Sequence, residues 1–273
     1  MTEQIFHSLP IPEIASQETD KSDKSDFSLI SNADFITGIF GEIVGAERPI
    51  VVSFEGNPSE VSKSAWFGMP WITGKTPLID ERNNYISFAS FRPDESGKYR
   101  RQKKQFAALY AVMLDDVGNK VPLGRITLQP SWMIETSMDN FQLGFILAEP
   151  ITHPLEADQL LTAIINAGLT DPGANGPCSR LGRLPVATNG KHLSDEGMLW
   201  RCRLTGWQPH LRYSVQAIVE GLQIELKETA QQRRTHARKN VDHDQHQDDV
   251  HIPRASENPV IVALKESRRY KQP

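Results

Sequence analysis

The chain is poor in cysteine, with only Cys178 and Cys202 among 273 residues. Two thiols cannot form the disulfide framework of a small secreted protein, and they are too few to build a structural zinc site on their own. No apolar run approaches the ~20 residues needed to span a bilayer, and the polar first residues lack the apolar core of a signal peptide. These absences predict a protein of the reducing cytoplasm that has no membrane partner.

The chain also lacks an excess of positive charge. Its 30 Lys and Arg residues face 34 Asp and Glu residues, for a formal net charge of -4 at pH 7. With 38% hydrophobic and 23% charged residues, the composition is that of an ordinary globular protein. Any surface that binds nucleic acid must therefore be a local cluster of Lys and Arg, because the average charge cannot attract phosphates.

Two polar segments flank a patterned central region. Residues 1–26 and 227–273 carry mixed charges and too little apolar surface to order themselves. We expect a flexible leader at 1–26, one domain at 27–226, and a flexible tail or linker at 227–273. No internal repeat is visible in the sequence.

The central region alternates between helical and strand-like patterns. Apolar residues recur with helical spacing after a predicted N-cap at Asn32, where the stripe extends to Ile43 and Val44, and again over 154–168 and 212–226. Strand patterns occur at 50–54, 85–91, 110–116, 132–137, 141–147 and 199–204. This order lacks the strict βαβ alternation of a Rossmann fold and predicts a mixed α+β domain.

The stretch YAVMLDDVGNK drives an apolar strand directly into Asp115 and Asp116. Adjacent carboxylates repel each other, and burying them is costly unless a cation is close by, so a divalent metal ion is one explanation. A structural hairpin is the alternative, because Asp-Asp-Val-Gly is also good turn chemistry. In a regular strand the two side chains would point to opposite faces, so a shared site requires the strand to end or bulge here.

A turn and a strand follow in IETSMDNFQLGFIL. The two-residue period of a strand places Asn140 and Gln142 on one face, opposite Phe141 and Leu143. This polar pair favours hydrogen bonding to a group in a cleft, although a half-exposed antiparallel strand would show the same pattern.

A glycine-rich segment, GLTDPGANGPCSRLGRLPVATNGKH, spans residues 168–192 and carries Asp171, Arg180, Arg183, Asn189 and Lys191. Such a loop can bring backbone donors close to phosphate, while Arg and Lys side chains neutralise the charge. The alternative is a long surface loop without a ligand.

Taken in order, YAVMLDDVG, TSMDNFQ and the RLP…N.K stretch resemble the archaeo-eukaryotic primase superfamily. The similarity is to the RepB-like primase or primase-polymerase domains of plasmids, phages and integrated elements, and YISFASF and KYRRQKKQF match the usual lead-in. The resemblance covers roughly residues 30–226. The resemblance implies a primase-polymerase core, in which an RRM-like antiparallel sheet is joined to a second α/β unit.

The resemblance also implies roles for individual residues. Asp115 and Asp116 would bind divalent Mg²⁺ or Mn²⁺ with Asp171 as the third acid, for which Asp139 and Glu135 are alternatives. Together with the local patterns, it predicts nucleotide contacts from Ser137, Asn140, Gln142, Arg180, Arg183, Asn189 and Lys191. Separately from the resemblance, the basic run of Lys98, Arg100, Arg101, Lys103 and Lys104 predicts contacts to the template backbone, with a solvated charged surface as the alternative.

Gln142 and Val186 depart from the family pattern. Gln142 stands where the family has histidine, and Val186 stands where glycine is frequent. Any phosphate contact from Gln142 would therefore be a neutral amide hydrogen bond.

The leading hypothesis is a metal-dependent primase of a mobile genetic element, with DNA polymerase activity as a further expectation. It would copy single-stranded DNA from nucleoside triphosphates by two-metal nucleotidyl transfer. A replicative helicase would be a separate partner or lie outside this sequence, which has no GxxxxGK[ST] segment.

The sequence admits two other functions. One is a non-catalytic replication module of the same fold, which the doubled aspartate and Gln142 favour. The other is a rolling-circle nicking enzyme, which would need a His-x-His metal pair that the sequence lacks.

Overall fold

A computed structural model of the chain describes residues 27–43, 45–173 and 176–226. The predicted leader at 1–26, Val44 and the predicted tail at 227–273 lie outside the described residues. In the described ranges, three α-helices and a mostly antiparallel set of strands make up the fold. The predicted α+β class is confirmed.

The helices and strands alternate irregularly along the chain. The helices are α1 (Asn32–Phe40), α2 (Pro154–Asn166) and α3 (Val215–Gly221). The strands are β1 (Arg48–Phe54), β2 (Met69–Pro70), β3 (Asn83–Phe91), β4 (Phe106–Val117), β5 (Trp132–Ser137), β6 (Asn140–Ile151), β7 (Gly182–Arg183), β8 (Thr188–Leu193), β9 (Leu199–Arg201), β10 (Arg203–Trp207) and β11 (Arg212–Tyr213). Short 3-10 helices lie at Phe27–Leu29, Lys63–Trp66, Lys103–Gln105 and Leu123–Arg125.

Nine of these strands form one sheet in the order β10-β5-β6-β4-β3-β1-β2, with β7 beside β3 and β11 beside β6. The pairing of β11 with β6 is parallel and the other pairings are antiparallel. The remaining two strands, β8 and β9, pair with each other. The strand predicted at 199–204 is therefore two strands, since β9 lies in the small sheet and β10 lies at the edge of the large one.

Helix α1 begins at a capping box one residue earlier than the sequence predicted. Ser31 Oγ accepts a hydrogen bond from Asp34 N at 3.1 Å, and Asp34 Oδ2 accepts one from Ser31 N at 3.1 Å. Asn32, the predicted cap, instead donates to Val186 O at 2.8 Å and accepts from Val186 N at 2.9 Å. Gly41, at φ 62, follows the last helical residue, so the helix does not continue to Ile43.

The two faces of the large sheet bury different apolar clusters. Successive side chains of a strand point to opposite faces of the sheet. In β1 and β3, Val51 and Ile86 therefore join the main core with the helices, whereas Val52 and Tyr85 join a smaller cluster with Phe54. In the described part of the chain, no helix has the length and apolar character that a membrane crossing requires.

Candidate active site

Strand β4 bulges at its end, where the two aspartates lie. Its register against β6 shifts between Leu114 and Val117, and Asp116 has a φ of 59°. A positive φ is uncommon outside glycine, but Asp and Asn tolerate it better than most residues. From the sequence, both carboxylates could share one site only if the strand ended or bulged here, and the structure has the bulge.

Both carboxylates bond to side chains on the same face of β6. Gln142 Nε2 donates to Asp115 Oδ1 at 3.0 Å, and Asn140 Nδ2 donates to Asp116 Oδ1 at 3.0 Å. The prediction that Asn140 and Gln142 share a face is confirmed, because their amides reach the two neighbouring carboxylates.

Asp171 joins this pair through a lysine. Lys120 Nζ lies 2.8 Å from Asp116 Oδ2 and also forms an ion pair with Asp171 Oδ2, while Asp171 N donates to Asp115 O at 3.3 Å. The bond from Lys120 lowers the pKa of Asp171, and the bond to Asp116 raises the pKa of Lys120. Two acid side chains therefore flank one ammonium group, with the third acid next to Asp116 in the chain.

Of the alternative third acids, Glu135 is engaged elsewhere and Asp139 is exposed. Glu135 is buried and pairs with Arg203, whose Nε donates to Glu135 Oε2 at 2.9 Å. Asp139 is exposed, and its backbone N donates to Glu135 Oε1 at 3.2 Å. Asp171 is the acid that the structure brings to Asp116, although its role as third catalytic acid stays a prediction.

Hydrogen bonds of Thr170 and Arg180 hold the loop that carries Asp171 in place. Thr170 Oγ1 accepts from Asp115 N at 2.8 Å and from Arg180 Nη1 at 2.9 Å. Arg180 Nη2 also donates to Asp171 O at 2.6 Å and to Gly173 O at 3.0 Å. Burial lowers the pKa of Arg180, which the nearby aspartates oppose. The guanidinium predicted to contact phosphate thus braces the loop.

Arg183 and Asn189 also lie inside the fold. Arg183 Nη2 donates to Asn189 Oδ1 at 2.6 Å, and its Nη1 donates to Asn83 Oδ1 at 3.2 Å and to Thr188 O at 3.1 Å. The guanidinium stacks 4.5 Å from the centroid of the Tyr85 ring. All these partners within the described ranges are neutral, so they supply the buried Arg183 cation with no carboxylate.

The other residues predicted to contact nucleotide differ in exposure. Ser137 is buried at the end of β5, opposite Asn140. Gln142 is buried, and its Oε1 accepts from Arg183 N at 2.8 Å, so both ends of its amide are used. Lys191 is exposed on β8, with its backbone N donating to Asn189 Oδ1 at 3.2 Å.

The basic run splits into engaged and exposed residues. Lys103 pairs with Asp158 at 3.1 Å, and Arg101 donates to Ser179 O at 3.2 Å and Trp66 O at 3.1 Å. Arg100 and Lys104 are exposed to solvent.

Sequence reasoning missed Lys120, Thr170, Asn83 and Tyr85. Among these residues, only Lys120 had a signal in the sequence that could have identified it: it is a cation four residues after Asp116, across a glycine turn. Thr170 bonds to Asp115 across 55 positions of the chain, and Asn83 bonds to Arg183 across 100.

The carboxylates fit a divalent cation in their chemistry. Among the described residues, no three His, Cys, Asp or Glu side chains form a ready-made metal-ligand set. Even so, Asp115, Asp116 and Asp171 supply the oxygen donors that Mg²⁺ and Mn²⁺ prefer. The Lys120 ammonium lies between two of them, so this point of the fold already accommodates a positive charge.

Comparisons with known proteins give matches of structure alone. No protein-family model matches the sequence, and no curated protein matches it. The fold is similar to that of the archaeo-eukaryotic primase domain of the cyanophage S-2L primase-polymerase, with 14% identity, a TM-score of 0.48, and coverage of 69% of this chain and 95% of that one. A crystal structure of the primase RepB′ gives 17% identity, a TM-score of 0.48, and coverage of 79% and 69%.

A further similar structure is the catalytic domain of primase RepB′ in complex with initiator DNA, with 17% identity, a TM-score of 0.40, and coverage of 74% and 90%. Identities of 14–17% and TM-scores of 0.40–0.48 indicate a likeness of fold and carry no argument about function.

Proposed function

We propose that this chain is a metal-dependent nucleotidyltransferase of the primase type, which makes primers on single-stranded DNA from nucleoside triphosphates. The observation that carries the proposal is the bulge at Asp116, where amides on one face of β6 bond to both aspartates and Lys120 pairs with Asp116 and Asp171. Two-metal nucleotidyl transfer needs carboxylates that can hold divalent ions beside the triphosphate, and this acidic cluster supplies such carboxylates.

Asp115, Asp116 and Asp171 would hold Mg²⁺ or Mn²⁺, which when bound supplies activation of the attacking oxygen and neutralisation of the triphosphate. Gln142 fixes the Asp115 carboxylate by its hydrogen bond, and Arg180 holds the loop of Asp171 in place. Lys191, exposed on β8, is free to contact the triphosphate. A DNA polymerase activity, a helicase partner, a mobile genetic element as source and a cytoplasmic location are parts of the same proposal.

The second candidate is a non-catalytic module that binds DNA or nucleotide. Two observations favour it: Lys120 already pairs with both Asp116 and Asp171, and both ends of the Gln142 amide are used within the fold. Such a module would bind template without making any product.

A primer-synthesis assay on single-stranded DNA with Mg²⁺ or Mn²⁺ separates the two functions. We expect the wild-type chain to form dinucleotides and longer products. We expect the double variant Asp115→Asn/Asp116→Asn to lose synthesis by a factor on the order of 10³ or more, since it loses the charge that gathers the ions. The matched control, Asp80→Asn/Asp195→Asn, removes two exposed carboxylates outside the site and should stay active.

Thermal melting of the double variant tests the hairpin alternative. Neutral amides relieve repulsion between the carboxylates, and Asn is well suited to the positive φ at position 116, so we expect the melting temperature to stay level or rise. Synthesis retained by the double variant would rule out the metal site. A wild-type chain that binds template but forms no dinucleotide would favour the non-catalytic module.

A further inference from the structure

A cleft of about 870 Å³ opens between residues 66–70, residues 97–102 and the pair Cys178 and Ser179. We call it the aromatic cleft, after its lining by Trp66, Phe67, Met69, Tyr99, Arg100 and Arg101. It shares structural elements with the candidate active site but contains none of the aspartates.

Two contacts connect the aromatic cleft to the active site. Trp66 packs against Tyr85 with ring centroids 5.1 Å apart, and Tyr85 is the ring on which Arg183 stacks. Arg101 donates to Ser179 O, directly before Arg180 in the chain. A strand of nucleic acid lying in the cleft would therefore run along the same loop that holds Asp171.

Phe67 is 81% exposed in this cleft, which is unusual for a large apolar ring. Its segment nevertheless packs tightly onto β1. A Cβ at Gly68 would lie 2.3 Å from Ile50 Cγ2 and 2.6 Å from Val51 O, so only glycine allows this approach. The exposed ring is thus carried by a fixed segment, as a stacking platform requires.

The charged residues that line the cleft are all positive. Lys98, Arg100 and Arg101 line it, and none of its described lining residues is acidic. Arg101 is occupied by Trp66 O and Ser179 O, whereas Lys98 and Arg100 are exposed. An aromatic face beside cations is the combination that holds single-stranded nucleic acid, because unpaired bases stack while phosphates need neutralising. A purely apolar peptide would leave Lys98 and Arg100 without a partner of opposite charge.

We propose that the aromatic cleft binds single-stranded nucleic acid, with one unpaired base stacked on Phe67 and the adjacent phosphates bound by Lys98 and Arg100. This inference rests on the proposed function, to which it adds a path for the template strand. It also narrows the predicted template contacts of the basic run to Lys98 and Arg100, since Arg101 and Lys103 are engaged in the fold and Lys104 does not line the cleft.

Fluorescence anisotropy of labelled 15-nucleotide dT and rU strands tests the cleft in EDTA, where a metal site cannot contribute. We expect Phe67→Ala to weaken binding by about 10-fold or more, within the range for loss of one base stack, with an unchanged dependence on salt. Arg100→Ala should lower the slope of log affinity against log salt by about 0.7, as expected for one phosphate contact on a single strand. Phe67→Trp should keep the affinity.

The controls are Leu29→Ala, which removes an apolar side chain that is 85% exposed outside the cleft, and Arg201→Ala, which removes an exposed charge on β9. Both should bind as the wild-type chain does. Tighter binding of either the dT or the rU strand identifies the preferred nucleic acid, and duplex DNA should compete poorly. Unchanged binding by Phe67→Ala, or equal loss in Leu29→Ala, would overturn the proposal.

Failure of this inference and failure of the proposed function give different results. Normal primer synthesis together with unchanged strand binding by Phe67→Ala would refute the cleft alone. Loss of strand binding by Phe67→Ala in a protein that makes no primer would support the cleft and refute the catalytic function.

Discussion

Gln142 Nε2 donates to Asp115 Oδ1 at 3.0 Å, while Gln142 Oε1 accepts from the backbone N of Arg183 at 2.8 Å. One neutral amide thus ties the end of β4 to β7 and holds the carboxylate without adding charge. Burial raises the pKa of Asp115, and the bond from Gln142 is the largest effect that opposes this rise. Asp115 is therefore poised to lose its charge more readily than an ordinary aspartate.

The raised pKa of Asp115 predicts a dependence of stability on pH. Between its unfolded value of 3.8 and its higher folded value, the folded chain binds more protons at this site than the unfolded chain. The contribution of Asp115 to the free energy of unfolding must then rise as pH falls from 7 towards 4. Asp115→Asn removes this contribution. The difference in free energy of unfolding between the variant and the wild-type chain should therefore move in favour of the wild-type chain as pH falls.

Urea unfolding of both proteins in EDTA, from pH 7 to pH 4.5, measures that difference. The lowered pKa values of Asp34, Asp94 and Asp171 act below 3.8, outside this window. The lowered pKa of His192 acts from near 6.5 downward and reduces stability in acid, but it is common to both proteins. A difference in stability that stays constant across the window would contradict the prediction.

Replacing Lys120 should change how the site binds cations. Lys120→Met leaves Asp116 and Asp171 without the ammonium between them. We expect Mn²⁺ to bind about fivefold more tightly, which corresponds to ~1 kcal/mol for removal of one competing charge in a solvent-exposed position. Electron paramagnetic resonance of free Mn²⁺ gives the affinity directly.

The matched control for Lys120 is Lys104→Met, which removes an exposed lysine of the basic run. Its Mn²⁺ affinity should equal that of the wild-type chain. If Lys120→Met binds Mn²⁺ no better than this control, the ammonium does not lie where the metal binds.

Arg183 and Lys191 should respond differently to alanine, although their shared motif predicts the same role. Arg183 is 6% exposed and makes three hydrogen bonds, so we expect Arg183→Ala to lower the free energy of unfolding by about 2 kcal/mol or more. Lys191 is exposed, so Lys191→Ala should keep the melting temperature and weaken triphosphate binding about 10-fold.

Thermal melts and nucleotide titrations on both variants check this division, with Arg201→Ala as a surface control on the paired strand β9. A stable Arg183→Ala variant with weakened triphosphate binding would show that this guanidinium contacts nucleotide instead of supporting the fold.

The sequence by itself determined the class of fold and the faces of its strands. Apolar periodicity is local, so it placed β5 at residues 132–137 with no error at either end. The same two-residue period placed Asn140 and Gln142 together. It also showed that adjacent Asp115 and Asp116 could share a site only at a bulge or a strand end.

Only the tertiary structure decided which side chains meet at the site. The bulge at Asp116 depends on the pairing of β4 with β6, the bridge from Lys120 depends on a loop 51 positions away, and the burial of Arg183 depends on Asn83 at a distance of 100 positions. Local patterns carry no record of such contacts. A charged residue in a glycine-rich segment has the same sequence signature whether its guanidinium faces a ligand or, as Arg183 does here, the inside of the fold.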